Sequence, residues 1–150
     1  MSGNATPMFT RQANIGAANV TAANTTSDGS GGTIGTNIYS VLAADLTNGS
    51  YVEFVRIMVV ASAAATATVA TVIRIYVSSQ QSGATTTANT HLIAEIAIPA
   101  STADQTTTAN NWYDVPLGFR LPAGWALLAS THIVANANTA WRVTAIGGDY

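Results

Sequence analysis

The side chains in this sequence that could take part in metal or acid–base chemistry are few and scattered. His91 and His132 are its only histidines, and neither belongs to an H-x-H or H-x-x-x-H pattern. A zinc site needs several His, Cys, Asp or Glu ligands that converge on one point. The chain has no cysteine, which also excludes a disulfide framework and a thiol nucleophile. We therefore predict no metal and no cofactor, and we place both histidines at a surface or an interface.

Nucleophilic and hydrolytic chemistry also lacks a local signature. A catalytic serine needs a neighbouring base and a group that orients the base, and the motif G-x-S-x-G is absent. Ser30 lies in the Gly-Ser run 29–32, which resembles a linker and lacks the Lys-Ser/Thr of a phosphate loop. Paired carboxylates could hydrolyse glycosides. No spacing singles out two of the seven, which are Asp28, Asp45, Glu53, Glu95, Asp104, Asp114 and Asp149. We predict that the chain is not an enzyme.

The charge content of the chain points to assembly rather than chemistry. Only 8% of its residues are charged, and none is lysine, whereas soluble domains carry about 25% charged residues. Surface charge keeps monomers dispersed, so a chain with so little of it is expected to contact copies of itself or a large partner. The five arginines are spread singly and the net charge is -2. Nucleic-acid binding needs clustered Lys and Arg, so we predict no nucleic-acid partner.

The elements that must position these side chains are predicted to be β-strands. In 66–78, Val69, Thr71, Ile73, Ile75 and Val77 alternate on one face, which is the spacing of a half-buried strand. The opposite face of this strand is partly apolar, which fits a neighbouring subunit or a strand inside a sandwich. The full set of predicted strands is 33–44, 51–62, 66–78, 90–100, one or two within 112–121, 125–134 and 140–146.

Seven or eight strands at this spacing favour an all-β fold, an antiparallel two-sheet β-sandwich. We place the eight-strand jelly roll ahead of an immunoglobulin-like arrangement. The longest uncharged apolar stretch, Ile57 to Ile73, is shorter than the ~20 residues of a membrane helix. It is predicted to be two strands joined by a small-residue turn. We therefore predict no membrane partner.

Residues 1–32 differ in composition from the rest of the chain. They contain few large apolar side chains and end in a Gly-Ser run, so they are predicted to form an extended or flexible arm ahead of a sandwich domain at 33–150. A disordered tail is one interpretation. The other is an arm that becomes ordered against a neighbouring subunit. The candidate assembly contacts are Met8, Phe9, Arg11, Ile15 and the C-terminal Tyr150.

The last third of the chain resembles small structural proteins of tailed bacteriophages. The residues that carry the resemblance are 121–125 (LPAGW), 140–145 (AWRVTA) and the final 147–150 (GGDY), preceded by an early strand at 38–42 (IYSVL) and a hydrophobic hairpin. The resemblance covers roughly 33–150. It implies a head-decoration (cement) or tail-associated protein, with a β-sandwich fold that is often a jelly roll and often trimeric. It implies no catalytic residues.

These observations together predict a non-enzymatic virion structural protein on the capsid surface. Its partners would be its own copies, as a homotrimer, and the major capsid protein of the same virion. One alternative is a carbohydrate- or receptor-binding module of a tail or surface appendage, in which Trp112, Trp125 and Trp141 stack on sugars. A second alternative is a fimbrial or surface-layer subunit, a class also rich in Ala, Thr and Asn.

Overall fold

The computed structural model describes residues 10–63, 66–103 and 111–150, and within them it contains ten β-strands and no helix. The predicted all-β, antiparallel two-sheet sandwich is thereby confirmed. The described residues contain no helix that is long and apolar enough to cross a membrane. The strands are β1 (Gln12–Val20), β2 (Tyr39–Ala43), β3 (Ser50–Ala61), β4 (Thr66–Ala67), β5 (Thr71–Ser78), β6 (Thr90–Ile98), β7 (Thr102–Ala103), β8 (Trp112–Leu121), β9 (Ala126–Thr131) and β10 (Thr139–Asp149).

Eight long strands form two four-stranded antiparallel sheets. The first sheet has the order β1-β10-β3-β8, and the second sheet has the order β2-β9-β5-β6. The short strands β4 and β7 pair separately. Consecutive long strands therefore lie in different sheets, except for β5 and β6, which form a hairpin within the second sheet. The first and last strands of the chain are neighbours, because β1 pairs with β10 along its whole length.

The core lies between the two sheets and follows the two-residue period of the strands. From the first sheet, β3 contributes Val55, Ile57 and Val59, and β10 contributes the indole of Trp141. The second sheet contributes an aliphatic set that faces them, including residues of β5 and β9. Alternation of this kind is what a strand with one face on a core requires.

The side of β5 and β9 that points away from the first sheet is covered by the chain itself, whereas the edge strand β6 is largely exposed. Strand β9 is buried at every position, so both of its faces are shielded from water. Tyr76 and Leu128 point away from the main core and form a second apolar cluster with Ile38. The backbone carbonyl of Thr26 accepts a hydrogen bond from the Tyr76 hydroxyl at 3.4 Å. Of the two explanations for the apolar second face of 66–78, the described residues favour a strand inside the sandwich, covered by the segment 21–38.

Part of the predicted N-terminal arm is a strand of the sandwich. Residues assigned to the arm form β1, which is in register with β10 for nine residue pairs and ends on the fully buried Val20. The backbone of β1 also approaches β2 closely at Gly16. A Cβ at that position would lie well inside 3.0 Å of the Val41 carbonyl oxygen and 3.0 Å from the Leu42 Cα. Residues 1–9 lie outside the described residues, and an extended arm stays a prediction for them.

Two predicted strands are shorter in the structure, for local reasons. The strand predicted at 33–44 is reduced to β2, because residues 33–38 form a turn in which the Gly35 amide donates to the Ile38 carbonyl at 2.7 Å and Gly35 has a φ of 90°. The strand predicted at 66–78 is divided into β4 and β5. Strand β8 is continuous through Pro116, because β8 is an edge strand with a bulge in its pairing to β3.

Candidate functional site

The side chains considered for metal or acid–base chemistry are held apart in structural roles. His91 and His132 are exposed, and the His132 ring lies 3.5 Å from the Arg74 guanidinium. Arg74 is nearly buried and donates to the Glu95 carboxylate at 2.6 Å. Within 10–63, 66–103 and 111–150, no group of three or more His, Cys, Asp or Glu could hold a metal ion.

Two further carboxylates stabilise turns. Asp28 accepts hydrogen bonds from the hydroxyl and the amide of Ser30, and the hydroxyl bond is the main cause of its lowered pKa. Asp45 accepts from the amides of Asn48 and Thr47, which lowers its pKa in the same way. Side chains that satisfy local backbone donors are typical of turns. Ser30 and Asp28 are therefore engaged with each other in a loop, and Asp104 lies outside the described residues.

One surface that carries exposed apolar side chains is the outer side of the first sheet, which we call the outer face. Its side chains come from alternate positions of four strands and are aligned by the register of the sheet. One row across the sheet is entirely apolar: Ile15 on β1, Ile146 on β10, Phe54 on β3 and Pro116 on β8. Ile15 is 65% exposed. None of these four residues belongs to the core between the sheets.

The middle of the outer face carries an ion pair placed between aromatic rings. The Arg56 guanidinium donates to both carboxylate oxygens of Asp114 at 2.7 Å. Its central carbon lies 5.8 Å from the ring centre of Phe54 and 5.7 Å from that of Trp112. The mutual hydrogen bonds raise the pKa of Arg56 and lower that of Asp114, so both groups are charged at neutral pH. Trp112 is 57% exposed.

The next row of the outer face is mixed. Asn19, Arg142, Met58 and Trp112 are aligned across β1, β10, β3 and β8. Arg142 is exposed and has no ion-pair partner among the described residues. The water-facing side of an antiparallel sheet is usually polar. This side instead carries Ile, Phe, Met, Trp and Pro, and exposed apolar groups of this extent mark contact surfaces. Trp and Arg are also enriched among the side chains that dominate binding energy.

Two of the predicted contact residues meet at one end of the sandwich. The Arg11 guanidinium donates to the terminal oxygen of Tyr150 at 2.6 Å, and the Arg120 guanidinium lies 4.8 Å from the centre of the Tyr150 ring. Next to them, the Asp149 carboxylate accepts from Asn14 at 2.6 Å and from the hydroxyl of Ser50 at 2.5 Å. These contacts hold Asp149 and Tyr150 against Arg11 and the first residues of β1.

The predicted contact residues therefore fall into three groups. Ile15 lies on the outer face, whereas Arg11 and Tyr150 contact each other within one chain. Met8 and Phe9 lie outside the described residues. Sequence analysis named Trp112 only as a candidate for stacking on sugars and missed Ile146, Phe54, Met58 and Pro116, although a signal was present. In 51–62 both alternating sets of side chains are largely apolar, which predicts a strand that is covered on both faces.

The three tryptophans have different surroundings. Trp141 is 2% exposed in the core, Trp125 packs partly against the core, and Trp112 stands on the outer face. No protein-family model matches the chain, and no curated protein or solved structure is significantly similar to it. The resemblance to bacteriophage structural proteins therefore stays a prediction, and the site is interpreted from its geometry alone.

Proposed function

We propose that this chain is a non-enzymatic structural protein of a virion, a decoration protein that binds the capsid as a homo-oligomer. The single observation that carries this proposal is the outer face. In the second sheet, the outer side of β5 and β9 is covered by the chain's own segment 21–38, whereas the first sheet presents an apolar row and an exposed Trp112 to its surroundings. A face of this kind is suited to contact with the surface of another protein.

The strand order supports the same proposal. Consecutive long strands lie in different sheets, except for the hairpin of β5 and β6, and the first and last strands are paired, which is the order expected of the jelly roll that the sequence predicted. Jelly rolls occur in viral capsid proteins among other classes, so this support is an analogy of fold. The geometry of the outer face carries the functional argument.

The low charge of the chain supports attachment by many weak contacts. A symmetric oligomer repeats each contact at every subunit, and simultaneous engagement raises the overall affinity by about 10²–10⁴ over a single contact. Contacts between apolar, Thr and Asn groups are screened less by salt than contacts between charges. Attachment through this chain is therefore expected to persist when the salt concentration is raised.

The proposal is tested by co-sedimentation with capsids. Purified heads of the source virus that lack this chain are mixed with recombinant protein and separated on a density gradient at low and high salt. We expect the protein to travel with the heads at both salt concentrations, and electron microscopy to place it at regular surface positions. Absence of the chain from virions, or failure to sediment with stripped heads at either salt concentration, would reject the proposal.

A second function is favoured by one specific observation at Trp112. Its ring is exposed beside the Arg56–Asp114 pair, so an apolar surface and hydrogen-bonding groups stand together. This combination could bind a saccharide on a tail or surface appendage. Binding to a glycan array that is lost in Trp112→Ala and retained in Trp125→Ala would favour this alternative over capsid decoration. The absence of glycan binding by the unaltered protein would reject it.

A further inference from the structure

We propose that Asn48 is a site of spontaneous deamidation, and that one hydrogen-bonded turn of the folded chain protects it. The proposal concerns the covalent chemistry of the chain and does not depend on the proposed function. Asn48 is the only asparagine of the sequence that is followed by glycine. Glycine has no Cβ to hinder the approach of its own amide nitrogen to the preceding side chain. The pair Asn48–Gly49 is therefore the place where an asparagine of this chain is most open to attack by its neighbour.

The reaction needs only the chain and water. The Gly49 amide nitrogen loses its proton and forms a bond with Cγ of Asn48, and the side-chain nitrogen takes up a proton and leaves as ammonia. The product is a cyclic imide, a succinimide. Water then adds to either ring carbonyl and breaks its bond to the ring nitrogen, which gives an aspartyl or an isoaspartyl residue at position 48. Both products carry an additional negative charge, and the isoaspartyl form also places an additional carbon in the main chain.

The fold requires glycine at position 49, so this reactive pair cannot be avoided by a larger residue there. Gly49 has a φ of 77°, in the left-handed region where residues with a side chain are strained. A Cβ at this position would also lie 2.5 Å from the Leu121 carbonyl oxygen and 3.0 Å from the Ala123 amide nitrogen. Both neighbours are backbone atoms, which no rotamer change can move. The turn that needs glycine thus creates the site.

The same turn, between β2 and β3, withholds the attacking nitrogen. The Asp45 carboxylate accepts hydrogen bonds from the amides of Thr47 at 3.0 Å and Asn48 at 2.7 Å, as an N-cap residue does. The Gly49 amide donates to the Asp45 carbonyl at 3.2 Å. The Arg120 guanidinium donates to the Asn48 carbonyl at 2.8 Å. The Gly49 amide must give up its hydrogen bond before its nitrogen can attack, so the turn has to open first.

Modification of the turn has a structural consequence, because the turn holds two other segments. The Gly49 carbonyl accepts from the Tyr150 amide at 3.3 Å, and the Asp45 carbonyl accepts from the Gly124 amide at 3.2 Å. An isoaspartyl residue lengthens the main chain between these fixed points. We expect chains modified at Asn48 to unfold at a lower urea concentration than unmodified chains, from which their additional charge separates them by ion exchange. An unchanged midpoint would contradict this part of the proposal.

The first test compares the folded and the unfolded chain in a mildly alkaline buffer. Trypsin releases Asn48 in the peptide 12–56, between Arg11 and Arg56, and fragmentation in a mass spectrometer locates the amide that has become a carboxylate. We expect Asn48 to be lost at least about tenfold more slowly in the folded protein than in guanidinium chloride, because only the opened fraction of the turn reacts. Equal rates, or no reaction at Asn48 in the unfolded chain, would overturn the proposal.

The second test distinguishes the turn from the general stability of the fold. Asp45→Ala removes the acceptor of the two amides, and Asp28→Ala is the matched control, because Asp28 accepts from the Ser30 amide in another turn. We expect Asp45→Ala to speed the loss of Asn48 about fivefold, which corresponds to the loss of a typical cap, and Asp28→Ala to leave the rate unchanged. Arg120→Gln should act in the same direction as Asp45→Ala.

Tryptophan fluorescence checks that each variant is folded. If Asp45→Ala does not fold, Arg120→Gln and the comparison of the folded and unfolded chain decide the question. Folded variants at Asp45 and Arg120 that lose Asn48 at the unaltered rate would overturn the proposal, and so would an equal acceleration by Asp28→Ala.

Discussion

Substitution of Gly16 tests the closure of the sandwich along β1 and β2. In Gly16→Ala the new methyl group meets the backbone carbonyl of Val41, which no rotamer change can move aside. The two strands would have to separate by on the order of 1 Å, in an interior that is packed as densely as a crystal. Any such shift pulls β1 away from its position, although its far end is held by the buried Val20.

The expected cost follows from these contacts. Insertion of one methyl group into a well-packed site costs about 1–3 kcal/mol, whereas a Gly→Ala change at an unstrained position stabilises by about 0.4–1 kcal/mol through the unfolded chain. The steric cost is larger because both colliding groups are backbone, so we expect a net loss of about 1–2 kcal/mol. For a chain of this size that loss lowers Tm by roughly 2–8 °C.

The assay is urea unfolding followed by tryptophan fluorescence at one fixed protein concentration, in which the buried Trp141 reports the loss of the core. Asn19→Ala is the matched control, because Asn19 lies exposed on the same strand, and changes at such positions stay within about 0.5 kcal/mol. A Gly16→Ala protein that is as stable as the unaltered chain, or more stable, would refute the close approach of β1 to β2 and the closure that depends on it.

Three further predictions concern pH, a buried hydroxyl and the N-terminus. The Arg56 hydrogen bonds hold the pKa of Asp114 below its ordinary value of 3.8, so the stability that they contribute is present above about pH 4 and is lost as the pH falls below it. The difference in urea midpoint between the unaltered chain and Asp114→Asn should therefore shrink from about pH 6 to about pH 3. A difference that stays constant over this range would contradict the prediction. Burial raises the pKa of Tyr76 above 10.0, so the stability contributed by its neutral hydroxyl is lost only as the pH rises beyond that value. Tyr76→Phe removes this hydroxyl, which lies 3.2 Å from the Ser130 hydroxyl. The change should lower the free energy of unfolding by about 1 kcal/mol and reduce the loss of stability at alkaline pH. Removal of residues 1–20, and with them β1, should abolish the cooperative unfolding transition because β10 loses its partner over nine residue pairs. A stable fold without β1, measured by urea unfolding, would show that its pairing with β10 is dispensable.

Much of the fold could be predicted because strands with one buried face have a visible period. The predicted strands at 51–62 and 112–121 match β3 and β8 closely, and the strand predicted at 90–100 extends two residues beyond the end of β6 at Ile98. The assignment of 12–20 could not be derived from composition. These residues are small and polar, and their order comes from a partner strand about 130 positions away and from one glycine that permits close contact. Local sequence carries no record of such pairing.

The candidate site was predicted only in part, for a related reason. Ile15 was identified because it is a large apolar residue in a polar segment, and it lies on the outer face. Arg11 and Tyr150 were predicted as contacts with other subunits, but in the described chain they contact each other. Their proximity depends on the antiparallel pairing of β1 and β10, which places Arg11 and Tyr150 at one end of the sandwich. Phe54 and Met58 were missed because a strand apolar on both faces does not reveal which face is internal.

The position of β10 between β1 and β3 has a consequence for biosynthesis. The first sheet lacks its central strand until residues 139–149 have left the ribosome, so β1 cannot join this sheet until they have been synthesised. Pairing over such sequence distances makes folding slow, and the incomplete intermediate exposes unpaired strand edges. A chain that stops before Thr139 lacks β10 altogether, so β1 and β3 each keep an unpaired edge at the gap between them, and the product is not simply a slightly shortened domain. Quality control of this protein therefore depends on residues 139–149.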